Sequence, residues 1–166
     1  LIVPQVDFLE KTADIIRENW LAIGVPKVNL IKLDISDILS SVIKSRNYEM
    51  ILFGNILENS EDIFPFWHSS QRFYPGLNLS LYNNSKFDSS IESIRQNPDL
   101  ARKNINMEIA ASLISEDVPA NFLFSLPYLY VHSQKLGGFN PEWLPSPSAR
   151  FNNVSECYVE KARVIK

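Results

Sequence analysis

Apolar runs alternate with amphipathic segments over the first 54 residues, and this order constrains the fold more than any other feature of the sequence. Runs of strand type lie at residues 1–3, 28–33 and 48–53. Apolar residues recur at helical spacing between them, over 8–20 and again over 38–43. Strands that alternate with helices across short connections form parallel α/β units. The sequence therefore predicts an α/β fold.

The third run, residues 48–53, is almost continuously apolar and ends at Gly54. This pattern predicts a central strand that is buried on both faces. Ligands of open α/β sheets bind outside the carboxyl ends of the strands. Glu58 lies four residues beyond Gly54, where its carboxylate could bind a ligand ammonium group. The alternative is a solvated glutamate in a surface loop.

A long loop follows at residues 55–86, rich in asparagine and aromatic side chains. Loops of this length in a compact domain are usually functional or disordered, and the aromatic content argues against disorder. Aromatic residues such as Trp67 could contact a ligand or pack into the core. His68, with Glu58 and Asp62, could form a metal site or an acid–base set. We favour a loop histidine with ordinary hydrogen bonds, because such a loosely spaced trio often arises by chance.

The second half of the chain predicts two helices and two less regular segments. The first helix runs over 87–96 with Asn84 or Ser85 as its cap. The second begins with Pro98 at its first helical position and ends before Pro119. The residues expected to face inward from it are Leu100, Ile105, Ile109 and Leu113.

A strand is predicted over residues 122–131, with Pro127 placing its second half at an edge or a bend. Residues 140–148 are rich in proline and are expected to be irregular. Residues 154–164 could form a last strand or lead out of the domain. We therefore predict an α/β ligand-binding lobe at 1–139 and a C-terminal segment at 140–166.

Composition excludes several classes of function. The net charge of −3, with scattered Lys and Arg, argues against a nucleic-acid partner. No apolar run approaches the roughly 20 residues that span a bilayer. The single cysteine, Cys157, excludes an internal disulfide and a multi-cysteine metal site. The glycine-loop, nucleophile-elbow and zinc-helix motifs are missing from the sequence. We therefore expect no metal, no cofactor and no enzymatic activity.

Three motifs occur in order along the chain: YEMILFG at 48–54, EDIFPFWHSS at 61–70 and NLSLYNNSKFD at 78–88. With the EDVP of 116–119 and the paired glycines at 137–138, they resemble the C-terminal lobe of a protein family. That family is the peptide/nickel class, or family 5, of extracellular solute-binding proteins of ABC importers. The resemblance covers nearly the whole chain.

The resemblance implies a type II periplasmic-binding-protein-like lobe, with a mixed, mostly parallel sheet flanked by helices. It implies a substrate-binding component that captures extracellular oligopeptides and delivers them to an ABC permease. The resemblance further implies an N-terminal lobe that this sequence does not include. The two lobes would close over a ligand by hinge motion. The full-length protein would be periplasmic or extracellular, with membrane attachment only through a lipid anchor outside this fragment.

The resemblance also implies which residues contact the ligand. An acidic residue just after the family's Gly-Trp pair holds the peptide ammonium group, and Glu58 occupies that position. Asn55 stands where the family usually has tryptophan. The full predicted ligand-binding set is Glu58, Asn55, Ile56, Trp67, His68 and Asn78.

Other functions remain open at this point. The family also includes binders of oligosaccharides and nickel complexes. A sugar site would use the aromatic loop for stacking and would not require Glu58. A small hydrolase using His68 is an alternative from a different class, and an interaction domain without a small ligand is another.

Overall fold

The computed structural model describes residues 1–55, 62–126, 129–139 and 147–159. The chain forms two compact units. The first contains residues 1–55 and 62–121, and the second contains the described residues from 122 onward. The two units meet at residues 121 and 122, whereas the predicted boundary lies at residue 139. The predicted role of the segment at 140–166 remains a prediction.

A small parallel sheet lies in the first unit. Strand β1 (Ile2–Pro4) pairs with β2 (Ile31–Leu33) in parallel, with Ile2 opposite Ile31. Ile2 also forms a parallel bridge to Ile51, whose neighbours exchange backbone hydrogen bonds of 2.8 and 2.9 Å with Ile2. Strand β1, which is fully buried, is therefore central. The prediction for residues 48–53 was wrong in this respect, because this run lies beside β1 and Met50 is 42% exposed.

Two helical segments connect these strands. Helix α1 (Asp7–Ala22) buries Ala13, and Gly24 ends it with φ of +100°. Segment α2 covers residues 35–45 and consists of α-helix Ile35–Asp37, π-helix Ile38–Val42 and α-helix Ile43–Ser45. The strand–helix–strand–helix order predicted from the sequence is confirmed.

The core of this region is aliphatic. Ile2, Ile38, Val42 and Ile43 are buried together, and Leu33, Tyr48, Ile51, Phe53 and Leu79 pack against them. Residues 38 and 42 are one turn apart on α2, so one side of this segment covers the sheet. We refer to this group as the sheet cluster.

The rest of the first unit is helical. Short helix α3 (Phe64–Trp67) precedes a 3-10 turn at Ser69–Gln71. Helix α4 (Ser85–Gln96) and helix α5 (Leu100–Asp117) then pack against each other. Their shared core contains Tyr82, Phe87, Ile91 and Ala110, with Ile63, Phe64, Trp67, Ile94, Leu113 and Ile114 around it. We refer to this group as the helix-pair cluster.

Helix caps confirm one prediction and correct another. The Asn84 side chain accepts hydrogen bonds from the N–H groups of Lys86 and Phe87, as expected for a cap. In α5, however, Asp99 is the cap and Pro98 lies outside the helix. The acceptor on Asp99, which binds the N–H of Ala101 at 2.9 Å, sets this start.

The inward face predicted for α5 was largely wrong. Leu100, Ile105 and Ile109 are 73%, 58% and 44% exposed, whereas Ala110 is buried and Leu113 is partly buried. Helix α5 has apolar residues on several sides. Periodicity alone therefore could not identify the side that meets α4.

The second unit contains an antiparallel pair of two-residue strands, β3 (Leu136–Gly137) and β4 (Tyr158–Val159). Strand β4 lies within the predicted 154–164 segment, whose end is outside the described residues. The predicted strand at 122–131 is not a strand in the described positions 122–126 and 129–131. A strand requires a neighbouring backbone edge. Phe122, Leu129 and Val131 are instead 72%, 83% and 90% exposed.

Within the described ranges, no helix combines the length and the apolar character needed to cross a bilayer.

Candidate functional site

An open groove of about 410 Å³ lies along α2 in the first unit. This volume is within the range of small-ligand sites. One wall is a side of α2, and the other is formed by the loop at 74–79 and by the chain that follows Ile51. The lining residues are Ser36, Leu39, Ser40, Ile43, Lys44, Phe53, Asn55, Tyr74, Pro75, Leu77 and Leu79.

The spacing of the α2 residues explains how one helix serves both core and groove. Positions 36, 39, 40, 43 and 44 follow the i, i+3, i+4 spacing of a single helix face. Positions 38 and 42, which are buried in the sheet cluster, lie on a different side. Leu39 is 49% exposed. Segment α2 therefore presents apolar side chains to solvent along the groove as well as to the core.

The opposite wall is held in place by a buried arginine. Arg46 ends α2 in the left-handed conformation, with φ of 54°. Its guanidinium donates hydrogen bonds to the carbonyl oxygens of Arg72 (2.9 Å) and Gly76 (2.5 Å). Arg46 forms no ion pair within the part of the chain that the structure describes. Its buried charge is therefore compensated mainly by backbone carbonyls.

Asn78 is fully buried and connects this wall to the helical part of the unit. Its amide nitrogen donates to the carbonyl oxygens of Trp67, His68 and Tyr82 at 3.0–3.2 Å. Its amide oxygen accepts from Ser80 Oγ and from the N–H of Tyr82, both at 3.1 Å. The donors and acceptor of this side chain are thus engaged within the chain.

Tyr48 gives the loop a third attachment, because its hydroxyl donates to the carbonyl of Leu79 at 2.6 Å. Burial raises the pKa of this hydroxyl, partly opposed by the positive charge of Arg46. Tyr48 therefore remains a neutral hydrogen-bond donor at ordinary pH. The loop is fixed from α2, from the chain before Ile51 and from Asn78.

In this loop the polar side chains point inward and apolar side chains face solvent, which is the reverse of an ordinary surface loop. Polar side chains hold its backbone from inside, whereas Phe73, Tyr74 and Leu77 are 67%, 57% and 44% exposed. Adjacent exposed apolar residues on a fixed backbone are typical of binding surfaces. The Lys44 ammonium lies 5.5 Å from the centre of the Tyr74 ring, within cation–π range.

His68 lies outside the groove and is mostly buried. Its Nδ1 accepts a hydrogen bond from the N–H of Ser70 at 3.0 Å, and Ser70 Oγ is 2.8 Å away. Because Nδ1 is an acceptor, the proton of the neutral ring is on Nε2, which lies 3.1 Å from Glu92 Oε1. The ring also stacks on Phe64, with centroids 4.1 Å apart.

This Ser70–His68–Glu92 order superficially matches a nucleophile, base and acid. The backbone N–H of Ser70 occupies the same nitrogen lone pair that would have to accept the hydroxyl proton, and the ring is only 10% exposed. A second link to α4 comes from Asp88, whose carboxylate accepts hydrogen bonds from the N–H and the hydroxyl of Ser69. This arrangement fixes the turn after α3 to α4, and it supports the interpretation of His68 as a loop histidine with ordinary hydrogen bonds.

The predicted site residues are therefore in different environments. Asn55 is exposed and lines the groove. Trp67 packs against the helix-pair cluster. His68 and Asn78 support the loop from inside. Glu58 and Ile56 lie outside the described residues, so their roles remain predictions.

Metal binding finds no support in the described ranges, where no group of three or more His, Cys, Asp or Glu residues could hold an ion. Asp62, considered above as a partner of His68, pairs with Arg95 at 3.3 Å.

Comparison with known proteins identifies the fold. No family model matches the chain, and no curated protein matches it. Among solved structures, the chain is similar to the oligopeptide-binding protein AppA from Bacillus subtilis in complex with a nonapeptide, with a TM-score of 0.73 and 21% sequence identity. The chain has the fold of part of AppA. The predicted α/β lobe of the type II binding-protein kind is thereby confirmed.

The match covers 96% of this chain and 31% of AppA. The chain thus spans about a third of the length of that protein. AppA is described as an oligopeptide-binding protein, and the absence of enzymatic activity in this chain remains an expectation.

Sequence reasoning missed most residues that form the groove. The spacing of residues 38–43 predicts a core position for Leu39, and the sequence indicates no site role for Lys44, Arg46 or Tyr48. It carries no signal for the groove, because Leu39 has the same helical spacing as the buried residues 38, 42 and 43.

Proposed function

We propose that this chain is a ligand-binding lobe of the substrate-binding component of an ABC importer and that it captures extracellular oligopeptides. The similarity to AppA over 96% of the chain is the observation that carries this proposal. The position of the groove also supports this proposal. Its lining includes Phe53 and Asn55, which follow the bridge between Ile51 and the central strand. Ligands of α/β proteins bind beyond the carboxyl ends of such strands.

Peptide recognition in this proposal has two parts. Glu58 binds the N-terminal ammonium group of the peptide, and Asn55, with Ile56, borders the bound backbone. Trp67, His68 and Asn78 hold the loop in position and act on the ligand only through it. A second lobe supplies the opposite wall, and the permease receives the peptide from the closed protein. The site of action is periplasmic or extracellular, with a lipid anchor in the full-length protein.

Peptide titration followed by heteronuclear NMR tests the proposal on this chain. A neutral hexapeptide with a free N-terminus is compared with its N-acetylated form, using the wild type and Glu58→Gln. We expect the free amine to bind more tightly than the acetylated form, and Glu58→Gln to remove that difference. Glu49→Gln provides a matched control, because Glu49 is an exposed glutamate on the chain before Ile51.

Weak binding is expected for this chain by itself, because one lobe contributes only part of the buried contact area. Calorimetry should show no affinity at micromolar level or tighter. Tight binding would contradict the two-lobed interpretation. Failure of any peptide to perturb the spectrum at millimolar concentration would overturn peptide capture.

The two main alternatives have distinct outcomes in the same system. An oligosaccharide binder would respond to sugars with shifts at the exposed aromatic residues and would be insensitive to Glu58→Gln. A hydrolase would show turnover in a broad substrate screen that His68→Ala abolishes, and that result would replace the proposal.

A further inference from the structure

We propose that the groove along α2 selects peptides that carry an apolar side chain next to an acidic one, with Lys44 binding the acidic side chain. This inference rests on the proposed peptide-binding function and specifies its ligand class. It is based on the charge, the apolar lining and the length of the groove.

Charge points to an acidic partner. Among the described residues that line the groove, Lys44 is the sole charged one. Its described contact is the Tyr74 ring, and it has no ion pair in the described part of the chain. Lys44 is exposed, so its attraction for a carboxylate is that of a surface ion pair, modest in strength and weakened by salt.

The apolar lining points to an aliphatic or aromatic neighbour of that acid. Leu39 of α2 and Leu77 of the facing loop line the groove and are exposed, whereas Ile43 and Leu79 line it from the sheet cluster. Leu77 is 44% exposed, so part of this surface still faces water. Covering it with an apolar side chain would release that water and stabilise the complex.

The length of the groove suits a peptide segment. Ser36 and Lys44 are eight positions apart on α2, which corresponds to at most about 12 Å, because the π-helical part of α2 rises less per residue than an α-helix. An extended peptide advances about 3.3 Å per residue, so the groove accommodates about three residues. Lys44 is exposed, so a longer peptide can continue past it. The carboxylate is therefore assigned to a side chain and not to the peptide C-terminus.

A positional scan tests this assignment. A single glutamate is moved through positions 2–6 of an amidated leucine-containing hexapeptide, and each peptide is titrated by NMR against the matching glutamine peptide. We expect one position at which glutamate improves the affinity by about twofold to fivefold, as for an exposed ion pair. The gain should decrease at high salt.

Protein variants identify the residue responsible. Lys44→Gln should abolish the gain from glutamate, and Lys44→Arg should retain most of it. Lys27→Gln is the matched control, because Lys27 is exposed and does not line the groove. Leu39→Ser should weaken all leucine-containing peptides by about fivefold or more, since it removes apolar contact area from the groove.

The outcomes separate this inference from the proposed function. Peptide binding that shows no glutamate preference, or a preference that survives Lys44→Gln, would overturn the inference and leave peptide capture intact. The inference would also be overturned if a glutamine peptide with a free C-terminal carboxylate gained as much affinity as the glutamate peptide. Absence of all peptide binding would overturn both. Concentration-dependent dimerisation in sedimentation, lost in Leu39→Ser, would assign the groove to a second copy instead.

Discussion

The two buried clusters of the first unit are built in different ways. The buried residues of the sheet cluster are aliphatic and belong to β1 and α2. The helix-pair cluster is centred on Tyr82 and Phe87, whose rings meet edge to face at a centroid distance of 5.2 Å. Polar side chains surround it, including Asn78 and Asp117.

This difference shows how each cluster serves the groove. The sheet cluster provides the floor through side chains whose position follows from strand and helix periodicity. The helix-pair cluster holds the facing loop through Asn78, whose side chain joins the end of that loop to Tyr82. Removing apolar volume should damage both clusters, whereas removing single polar groups should damage mainly the second, because Asn78 and Asp117 border it.

The largest expected effect is the loss of a buried aromatic ring. Phe87→Ala should lower the free energy of unfolding by about 4 kcal/mol, because it leaves a large cavity between α4 and α5. Ile38→Ala in the sheet cluster should cost about 3 kcal/mol. Chemical denaturation measures both. A smaller cost for Phe87→Ala than for Ile38→Ala would contradict the packing described for the helix pair.

The next largest effect is expected for Asn78→Ala, which should lower the free energy of unfolding by about 3 kcal/mol, because several buried backbone groups lose their hydrogen-bond partner. Asn78→Asp keeps the shape and the acceptor but loses the donors, and it should be similarly destabilising. Asn83→Ala is the control, because Asn83 is exposed in the same loop. Equal stability of the Asn78 and Asn83 variants would exclude a structural role for the Asn78 amide.

A third prediction concerns the cap of α4. Asn84→Ala removes the acceptor of two N–H groups and a 2.8 Å hydrogen bond to Asp117. The expected cost is about 1 kcal/mol, typical of a lost helix cap. Asn84→Ser keeps the capping acceptor and should restore part of the stability. Thermal denaturation of the three proteins gives the comparison, and an unchanged melting temperature for the alanine variant would refute it.

An effect as small as that of Asn84→Ala is expected at neutral pH for Tyr82→Phe, which removes a 2.6 Å hydrogen bond to Asp117 at a cost of about 1 kcal/mol. Burial, followed by the Asp117 carboxylate, raises the pKa of Tyr82 from 10.0 to about 12. A raised pKa means that the folded state retains the proton more strongly, so this contribution is full below pH 10 and is lost between pH 10 and 12.

The difference in stability between the wild type and Tyr82→Phe should therefore shrink as the pH rises through that window. Hydrogen bonds from Tyr82 and Asn84 lower the pKa of Asp117. The stability that the ionised Asp117 contributes is thus present above the ordinary pKa of 3.8 and declines as the pH falls below that value. Denaturant midpoints at pH 3, 7 and 11 test both directions. A difference that is constant across pH would contradict the Tyr82–Asp117 contact.

The sequence by itself determined the order of elements through residue 45, narrowed the cap of α4 to Asn84 or Ser85, and predicted the end of α5 before Pro119. These features depend on local spacing, on turn residues and on hydrogen bonds within a few positions of the chain. Its motifs also pointed to a peptide-binding-protein lobe, a fold that the similarity to AppA supports.

Only the tertiary structure decided which apolar faces are buried and what the loop residues do. Periodicity cannot choose between the several apolar sides of α5, because the choice depends on the shape of α4. Asn78 was predicted to contact a ligand, yet its partners include Trp67, 11 positions away, and Tyr82 reaches Asp117 across 35 positions. Such contacts require the chain to be folded before the partners are adjacent. The groove itself has the same origin, since α2 and the loop at 74–79 are distant in sequence and are joined by the hydrogen bonds of Arg46 and Tyr48.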